Sequence, residues 1–173
     1  SMVIWWVFAL AGFVILQRLI ELWLSSRNKR WILEQQGLEF ASGHYPLFIL
    51  LHSGWLVGWV VEAANTVSSI PSFWPVWFLL FVAAQGLRYW CILTLGRRWN
   101  TRILVLPGHP PIRRGPYRYL NHPNYLAVAV ELACVPLIFG AWYTSLIASL
   151  LNAWLLFAVR IPAEERALRY ATK

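Results

Sequence analysis

The stretch HPPIRRGPYRYLNHPNY, residues 109–125, is the longest polar and irregular segment of an otherwise strongly apolar chain. Pro110, Pro111 and Pro116 each lack a backbone donor and have a fixed φ, which predicts a shaped loop and not a helix. Asn121 is typical of a helix N-cap, and an apolar run follows it. The loop is therefore predicted to deliver polar side chains to the mouth of a membrane helix, where a small polar ligand could bind.

The composition on both sides of this loop is that of an integral membrane protein. Hydrophobic residues make up 59% of the chain, charged residues only 13%, and aspartate is absent. A soluble domain carries roughly 25% charged residues. Cys91 and Cys134 lie within apolar runs, so we interpret them as buried small hydrophobes and not as a disulfide or a metal pair.

Apolar runs near the length of about 20 residues that a membrane span needs recur along the chain. We predict an all-α membrane protein with about five spans and a short amphipathic helix after the last one. The predicted spans are residues 3–24, 45–64, 73–95, 123–139 and 142–159, with the last two joined by a turn at Gly140. We expect a single membrane domain over residues 1–173, in which 1–95 holds three spans and 96–173 holds the polar loop, a helical hairpin and the C-terminal helix.

Basic residues are confined to alternate loops. Three lie between the first two spans, six between the third and fourth, and four from Arg160 onward. The loops at 65–72 and at Gly140 carry none, and neither does the N-terminus. Because basic loops stay cytoplasmic, we expect the N-terminus outside and the C-terminus inside, in a bacterial plasma membrane. The net charge of +8 is then a signal of topology and lipid surface, and no nucleic-acid partner is expected.

Ionisable residues also occur inside the predicted spans. Arg18 and Glu21 are three residues apart and so share a helix face. They form either an ion pair that fixes helix packing or a wall of the active site, and the sequence leaves both interpretations open. His52 in the second span we interpret as a packed or hydrogen-bonded histidine.

Two polar segments should meet at the cytoplasmic face. Because the last two spans are antiparallel, the start of one lies beside the end of the other, which brings His122 and Tyr125 near Arg160 and Glu164. The chemistry of this cluster excludes several classes. A Ser-His-Asp triad is impossible without aspartate, zinc is disfavoured because there is neither HExxH nor a nearby cysteine, and no Rossmann glycine pattern occurs. Transport, the main non-enzymatic rival, would favour polar groups near the midplane and paired halves.

The motifs GPYRYLNHPNYL at 115–126 and RIPAEERAL at 160–168 resemble those of the isoprenylcysteine carboxyl methyltransferase family, in a wider group that includes phospholipid N-methyltransferases. The resemblance is best from about residue 95 to 170. It implies S-adenosylmethionine bound on the cytoplasmic side without a Rossmann domain, no metal, and an acceptor-facing Arg160. The cofactor contacts that the resemblance implies are His109, Pro110, Pro111, Ile112, Tyr117, His122, Pro123, Asn124, Tyr125 and Glu164.

The expected function is therefore methyl transfer from S-adenosylmethionine to an amphiphilic lipid, with oxygen as the acceptor atom. Small bacterial-type relatives are thought to methylate alkylpyrones or alkylresorcinols made by type III polyketide synthases, and prenylcysteine is the namesake acceptor. Tyrosine rings can face a cationic sulfur, and a guanidinium can orient an anionic oxygen. The alternatives are N-methylation of a phospholipid head group, and a non-catalytic binding or transport protein. The sequence does not indicate the oligomeric state.

Overall fold

The computed structural model describes residues 2–66 and 68–173, and almost all of them are helical. The elements are α1 (Met2–Glu34), β1 (Leu38–Phe40), a 3-10 turn (Ser42–His44), α2 (Tyr45–Thr66), α3 (Trp74–Leu95), a 3-10 turn (Gly96–Arg98), β2 (Ile103–Val105), a 3-10 turn (Gly115–Arg118), α4 (Pro123–Ile138), α5 (Trp142–Trp154), a π-helical segment (Leu155–Arg160) and α6 (Ile161–Ala171). The predicted all-α membrane fold is confirmed.

Within residues 2–66 and 68–173, four helical stretches are long and apolar enough to cross a membrane. They are Met2–Glu34, Ser42–Thr66, Trp74–Arg98 and Trp142–Ala171. The helix at the predicted fourth span, α4, is apolar but has only 16 residues. At 1.5 Å per residue it extends about 24 Å, short of the roughly 30 Å of a bilayer's hydrocarbon core. In the predicted loop 65–72, Val67 lies outside the described residues.

The first helix is longer than the sequence predicts, because α1 continues through the basic segment to Glu34. Two buried polar side chains hold this extension against the turn that follows α3. Asn28 donates to the Trp99 carbonyl at 2.7 Å, and Ser25 donates to the Asn100 side chain at the same distance. The first helix therefore extends ten residues beyond residue 24, the predicted end of the first span.

A short antiparallel ladder follows α1, and no sequence pattern predicts it. Leu38 pairs with Val105 and Phe40 with Ile103. Gly37 makes the transition possible, because a Cβ there would lie 2.7 Å from the Ile32 carbonyl oxygen. The buried face of α6 packs on this ladder, and so the ladder fixes where α6 lies.

The start of α4 also differs from the prediction. The N-cap is His122 and not Asn121, and no side-chain capping bond forms there. Asn121 instead accepts a hydrogen bond from Arg113 at 3.2 Å. Because Pro123 has no N–H, the first turn has one donor fewer to satisfy, which lowers the need for a capping side chain.

The helical hairpin of α4 and α5 lies where the sequence places it. Gly140, with φ of +74°, makes the turn between them. Glu62 at the end of α2 accepts hydrogen bonds from the Thr144 backbone and hydroxyl at 2.8 and 2.7 Å, so it caps α5 from a neighbouring helix. At the other end, α5 continues through the π-helical segment into α6 without interruption.

Candidate functional site

A cavity of about 650 Å³ lies where the start of α4, the end of the π-helical segment and the β ladder meet. It continues between α1 and α2. Most of the predicted site residues line it: Pro111, Ile112, Tyr117, His122, Asn124, Tyr125, Arg160 and Glu164. His109, Pro110 and Pro123 are not among its lining residues. Its volume falls within the range of about 300–1,000 Å³ typical of small-molecule sites.

The Tyr125 hydroxyl joins the two polar segments that were predicted to meet at the cytoplasmic face. It donates a hydrogen bond to Glu164 Oε2, and it accepts one from Arg160 Nε at 2.9 Å. Arg160 comes from the π-helical segment and Glu164 from α6, both in the continuous helix that begins with α5, and Tyr125 comes from the first turn of α4. The Tyr125 hydroxyl thus bridges the Glu164 carboxylate and the Arg160 guanidinium.

Arg160 is held by three elements. Besides its bond to Tyr125, its Nη2 donates to the Thr101 carbonyl at 2.9 Å, and its guanidinium carbon lies 5.5 Å from the centroid of the Phe48 ring. Arg160 ends the π-helical segment, and such segments re-aim side chains and are frequent at functional sites. Nη1 makes no hydrogen bond within the described part of the chain, so it is free to donate to a ligand.

His122 and Asn124 complete the polar wall beside Tyr125. The His122 ring stacks on Tyr125 with centroids 5.3 Å apart and planes 19° apart, and its Nδ1 lies 3.9 Å from Glu164 Oε1. Asn124 Oδ1 is buried and finds no donor among the described residues. A buried acceptor without a partner costs free energy, so a donor from a bound ligand would be stabilising here.

Tyr117 approaches the same cavity from the loop. Burial, with the Cys91 thiol beside its hydroxyl, raises the pKa of Tyr117 well above its usual range. The hydroxyl therefore stays protonated at neutral pH and is a potential hydrogen-bond donor. Its position follows from the left-handed Gly115, φ +59°, which starts the 3-10 turn against the end of α3.

The first residues of the loop lie at the outer rim. His109 is exposed, and its Nδ1 lies 3.3 Å from the Pro107 carbonyl oxygen. The Pro110 carbonyl accepts a hydrogen bond from Arg98 at 3.1 Å. His109 and Pro110 are thus separated from the Tyr125 cluster in this structure.

A second polar group, built around Arg102, lies on the cavity wall and was not predicted as a group. Arg102 Nη1 donates to Glu39 at 2.9 Å, and its guanidinium carbon lies 3.9 Å from the centroid of Tyr45. Burial alone would raise the pKa of Glu39, but hydrogen bonds from Arg102 and Lys29 hold that pKa below its usual range. Glu39 lies in a strand of three residues, which is too short to show an alternating apolar and polar pattern. The sequence therefore did not predict that Glu39 pairs with Arg102.

Ionisable side chains inside the membrane spans also reach the cavity. Arg18 bonds Glu131 at 2.7 Å and Glu21 at 3.3 Å, so the predicted ion pair is present, and Arg18 is a cavity wall as well. His52 lines the same region, and its ring makes no hydrogen bond with the described residues. Of the two predicted interpretations of His52, packed or hydrogen-bonded, the hydrogen-bonded one is not seen among the described residues, and its Nδ1 is buried by packing.

The chain is similar to relatives of nearly the same length. YpbQ, an uncharacterized protein of Bacillus subtilis (strain 168), is 35% identical over 165 residues, which cover 95% of this chain and 98% of the relative. An uncharacterized protein of Haemophilus influenzae is 26% identical over 154 residues, covering 88% and 89% of the two chains. No solved structure matches the chain significantly.

The family comparison is more specific. The sequence model of the isoprenylcysteine carboxyl methyltransferase family matches residues 77–170, which is more than half of the chain. The matched region contains the loop, the helical hairpin and the Arg160–Glu164 segment that build one end of the cavity. The chain therefore belongs to the isoprenylcysteine carboxyl methyltransferase family, a family of membrane methyltransferases.

Proposed function

We propose that this protein transfers a methyl group from S-adenosylmethionine to an oxygen of an amphiphilic lipid. The observation that carries the proposal is the form of the cavity. Its polar end holds Tyr125, Arg160 and Glu164, and α1 and α2 contribute mostly apolar side chains to the rest of its wall. A site with these two halves can hold a polar, charged cofactor beside a lipid within one volume.

The polar end fits the groups of S-adenosylmethionine, which carries an ammonium, hydroxyls, an adenine and a sulfonium. Glu164 and the unpartnered Asn124 Oδ1 are acceptors for the ammonium or the hydroxyls. The stacked rings of His122 and Tyr125 and the ring of Tyr117 offer faces for the adenine or the cationic sulfur. The donor and acceptor set therefore suits a cation with several hydroxyls better than a simple anion.

We assign the predicted cofactor contacts in two groups. Tyr117, His122, Asn124, Tyr125 and Glu164 would make the polar and ring contacts. Pro111 and Ile112 would supply an apolar edge, because both line the cavity. His109 and Pro110 lie at the rim, where contact would require the loop to close over the ligand, and Pro123 would act by shaping the first turn of α4.

Arg160 would act on the acceptor. When bound, S-adenosylmethionine supplies a methyl carbon activated by a positively charged sulfur. Nη1 of Arg160 would hold an anionic carboxylate, enolate or phenolate oxygen in line with that carbon, and the Tyr125 and Thr101 bonds would keep the guanidinium plane fixed. A carboxylate or an acidic enol is already ionised and needs no strong general base, so positioning and the exclusion of water would supply most of the acceleration. A phenol would also have to give up its proton, and the His122 imidazole beside Glu164 is the group placed to accept it.

The lipid chain would lie between α1 and α2. Ile15 and Leu19 from α1 and Ile49 from α2 line the cavity and have exposed fractions of 44%, 60% and 49%. An opening between these two helices would face the bilayer, so an acceptor could pass sideways from the lipid into the cavity. The basic segments at this end favour the cytoplasmic face of a bacterial plasma membrane.

The decisive test is incubation of purified protein with isotopically labelled S-adenosylmethionine and a panel of lipids, read by mass spectrometry. The panel contains an alkylresorcinol, an alkylpyrone, a farnesylcysteine and phosphatidylethanolamine. We expect label on an oxygen of one of the first three and saturable binding of the cofactor in detergent. Label on the phosphatidylethanolamine nitrogen would favour head-group N-methylation, and failure to bind the cofactor would favour a non-catalytic protein.

A further inference from the structure

The cavity extends below the Tyr125 cluster. A contact between α2 and α4 shows which residues of these two helices lie at the same depth. Trp55 Nε1 on α2 donates to the Leu132 carbonyl on α4 at 2.9 Å, so these two residues lie at the same depth. Both helices run away from the polar end. Phe48 and Tyr125 each lie seven residues before this contact, which places them level, in agreement with the fact that Arg160 contacts both.

His52 lies only three residues before Trp55 on the same helix. At 1.5 Å per residue it is therefore about 6 Å, or one helical turn, deeper than Phe48 and Tyr125. It lines the cavity and is only partly buried, and its Nδ1 is a buried atom without a hydrogen-bond partner among the described residues, which leaves Nε2 as the ring nitrogen that a ligand could reach. This polar ring thus faces the deeper part of the cavity without a partner.

Asn152 on α5 is a second polar side chain without a hydrogen-bond partner among the described residues, and it lies at a similar depth. Gly58 on α2 and Thr144 on α5 are in close contact, since a Cβ on Gly58 would lie 3.1 Å from Thr144 Cγ2. The helices are antiparallel, so Asn152, about 12 Å along α5 from Thr144, and His52, about 9 Å back along α2, lie within one turn in depth. Asn152 also lines the cavity, is 3% exposed, and makes no side-chain hydrogen bond with the described residues.

The charges nearby decide which chemistry this region accepts. Arg18 and Arg88 line the cavity beside His52, but their guanidinium groups bond the carboxylates of Glu21 and Glu131. Two positive and two negative charges cancel, so an additional anion would find no unneutralised cation. His52 and Asn152 can each donate and accept, which suits a neutral hydroxyl or carbonyl.

We propose that His52 and Asn152 form a second polar subsite, which binds a neutral hydroxyl or carbonyl of the methyl acceptor about one helical turn deeper than the oxygen held at Arg160. The inference rests on the proposed function, since it concerns the acceptor of that reaction. In apolar surroundings an unpartnered polar side chain is costly, and a ligand group that pairs with both would remove that cost. The subsite would select acceptors that carry two oxygens on one head group over those that carry one.

The test compares two probe lipids with the same chain, 5-pentadecylresorcinol and 3-pentadecylphenol, which differ by one ring hydroxyl. Equilibrium binding of each is measured in detergent for the full-length protein and for His52→Leu and Asn152→Leu. We expect the unmodified protein to prefer the resorcinol by about three- to tenfold, the value of one net buried hydrogen bond. Each variant should lose that preference by weakening resorcinol binding alone. The matched control is Ser149→Ala, which removes a buried, unpartnered hydroxyl on α5 outside the cavity lining and should keep the preference.

The ratio of the two affinities separates a subsite from a packing role, because a packing defect would weaken both probes equally. Equal affinity of the unmodified protein for both probes would overturn the proposal, and so would an unchanged ratio in both variants or an equal loss for both probes. S-adenosylmethionine binding is measured on the same samples. Absence of cofactor binding would contradict the proposed function, whereas intact cofactor binding without a resorcinol preference would contradict only the subsite.

Discussion

The sharpest prediction concerns one hydroxyl, and Tyr125→Phe removes it while keeping the ring. The variant loses the bond donated to Glu164 and the bond accepted from Arg160, but the ring can still stack on His122. Hydrogen bonds to charged groups contribute about 1.5–3 kcal/mol each. The Glu164 side chain is 30% exposed, so water can replace part of what is lost. We therefore take the low end, about 1.5 kcal/mol for the hydroxyl as a whole.

A loss of about 1.5 kcal/mol corresponds to roughly tenfold weaker binding of S-adenosylmethionine if Tyr125 holds Glu164 in position for the cofactor. Isothermal titration calorimetry in detergent measures this directly. Tyr125→Leu also removes the ring and should lose about 0.5–1.5 kcal/mol more. The control is Tyr119→Phe, since Tyr119 is 71% exposed and is not among the cavity-lining residues. Unaltered cofactor affinity in a folded Tyr125→Phe protein would refute this assignment.

Three further predictions follow from other parts of the chain. Arg160→Lys keeps the positive charge but loses the planar guanidinium and its paired donors. Turnover should therefore fall about tenfold or more while cofactor affinity changes little. A loss of cofactor binding instead would assign Arg160 to the cofactor site. Single cysteines at Ser42 and Ser69 should react with a membrane-impermeant maleimide from opposite sides of the membrane, and reaction from one side would contradict the proposed topology. Glu62→Gln removes one of the carboxylate oxygens that cap α5 and should destabilise the protein by about 1 kcal/mol, seen as a lower melting temperature in detergent, whereas an unchanged melting temperature would mean that the cap contributes nothing.

The meeting of Tyr125 with Arg160 and Glu164 could be predicted because it needs only local rules. A glycine turn joins two apolar runs, the resulting helices must be antiparallel, and the start of one then lies beside the end of the other. The structure brings these residues together through the Tyr125 hydroxyl. The path of the loop was harder to predict. Its prolines show that it is rigid, but they do not show which way it runs. The structure places His109 and Pro110 at the rim of the cavity and not in its lining.

The deeper part of the cavity could not be predicted for a different physical reason. His52 and Asn152 are isolated polar residues in apolar runs, and their partnership depends on how α2 and α5 are aligned in depth. That alignment is set by the contact between Gly58 and Thr144. The β ladder is similar, since Leu38 and Val105 are far apart in sequence and each lies in a strand of three residues. Pairings of this kind are properties of tertiary packing, and no local pattern precedes them.

The buried charges explain how a cavity can stay open so deep in an apolar bundle. Arg18 and Glu21 come from α1, Arg88 from α3 and Glu131 from α4, and each guanidinium contacts both carboxylates. Removing one member would leave an uncompensated charge in a medium that penalises it heavily, so the network tolerates little sliding of these three helices. Because Arg18 and Arg88 also line the cavity beside His52, the network fixes the wall against which the proposed acceptor subsite is built. The ion pairs among the four buried charges offset the cost of burying them. The result is a rigid wall without net charge at the depth where a neutral oxygen would be recognised.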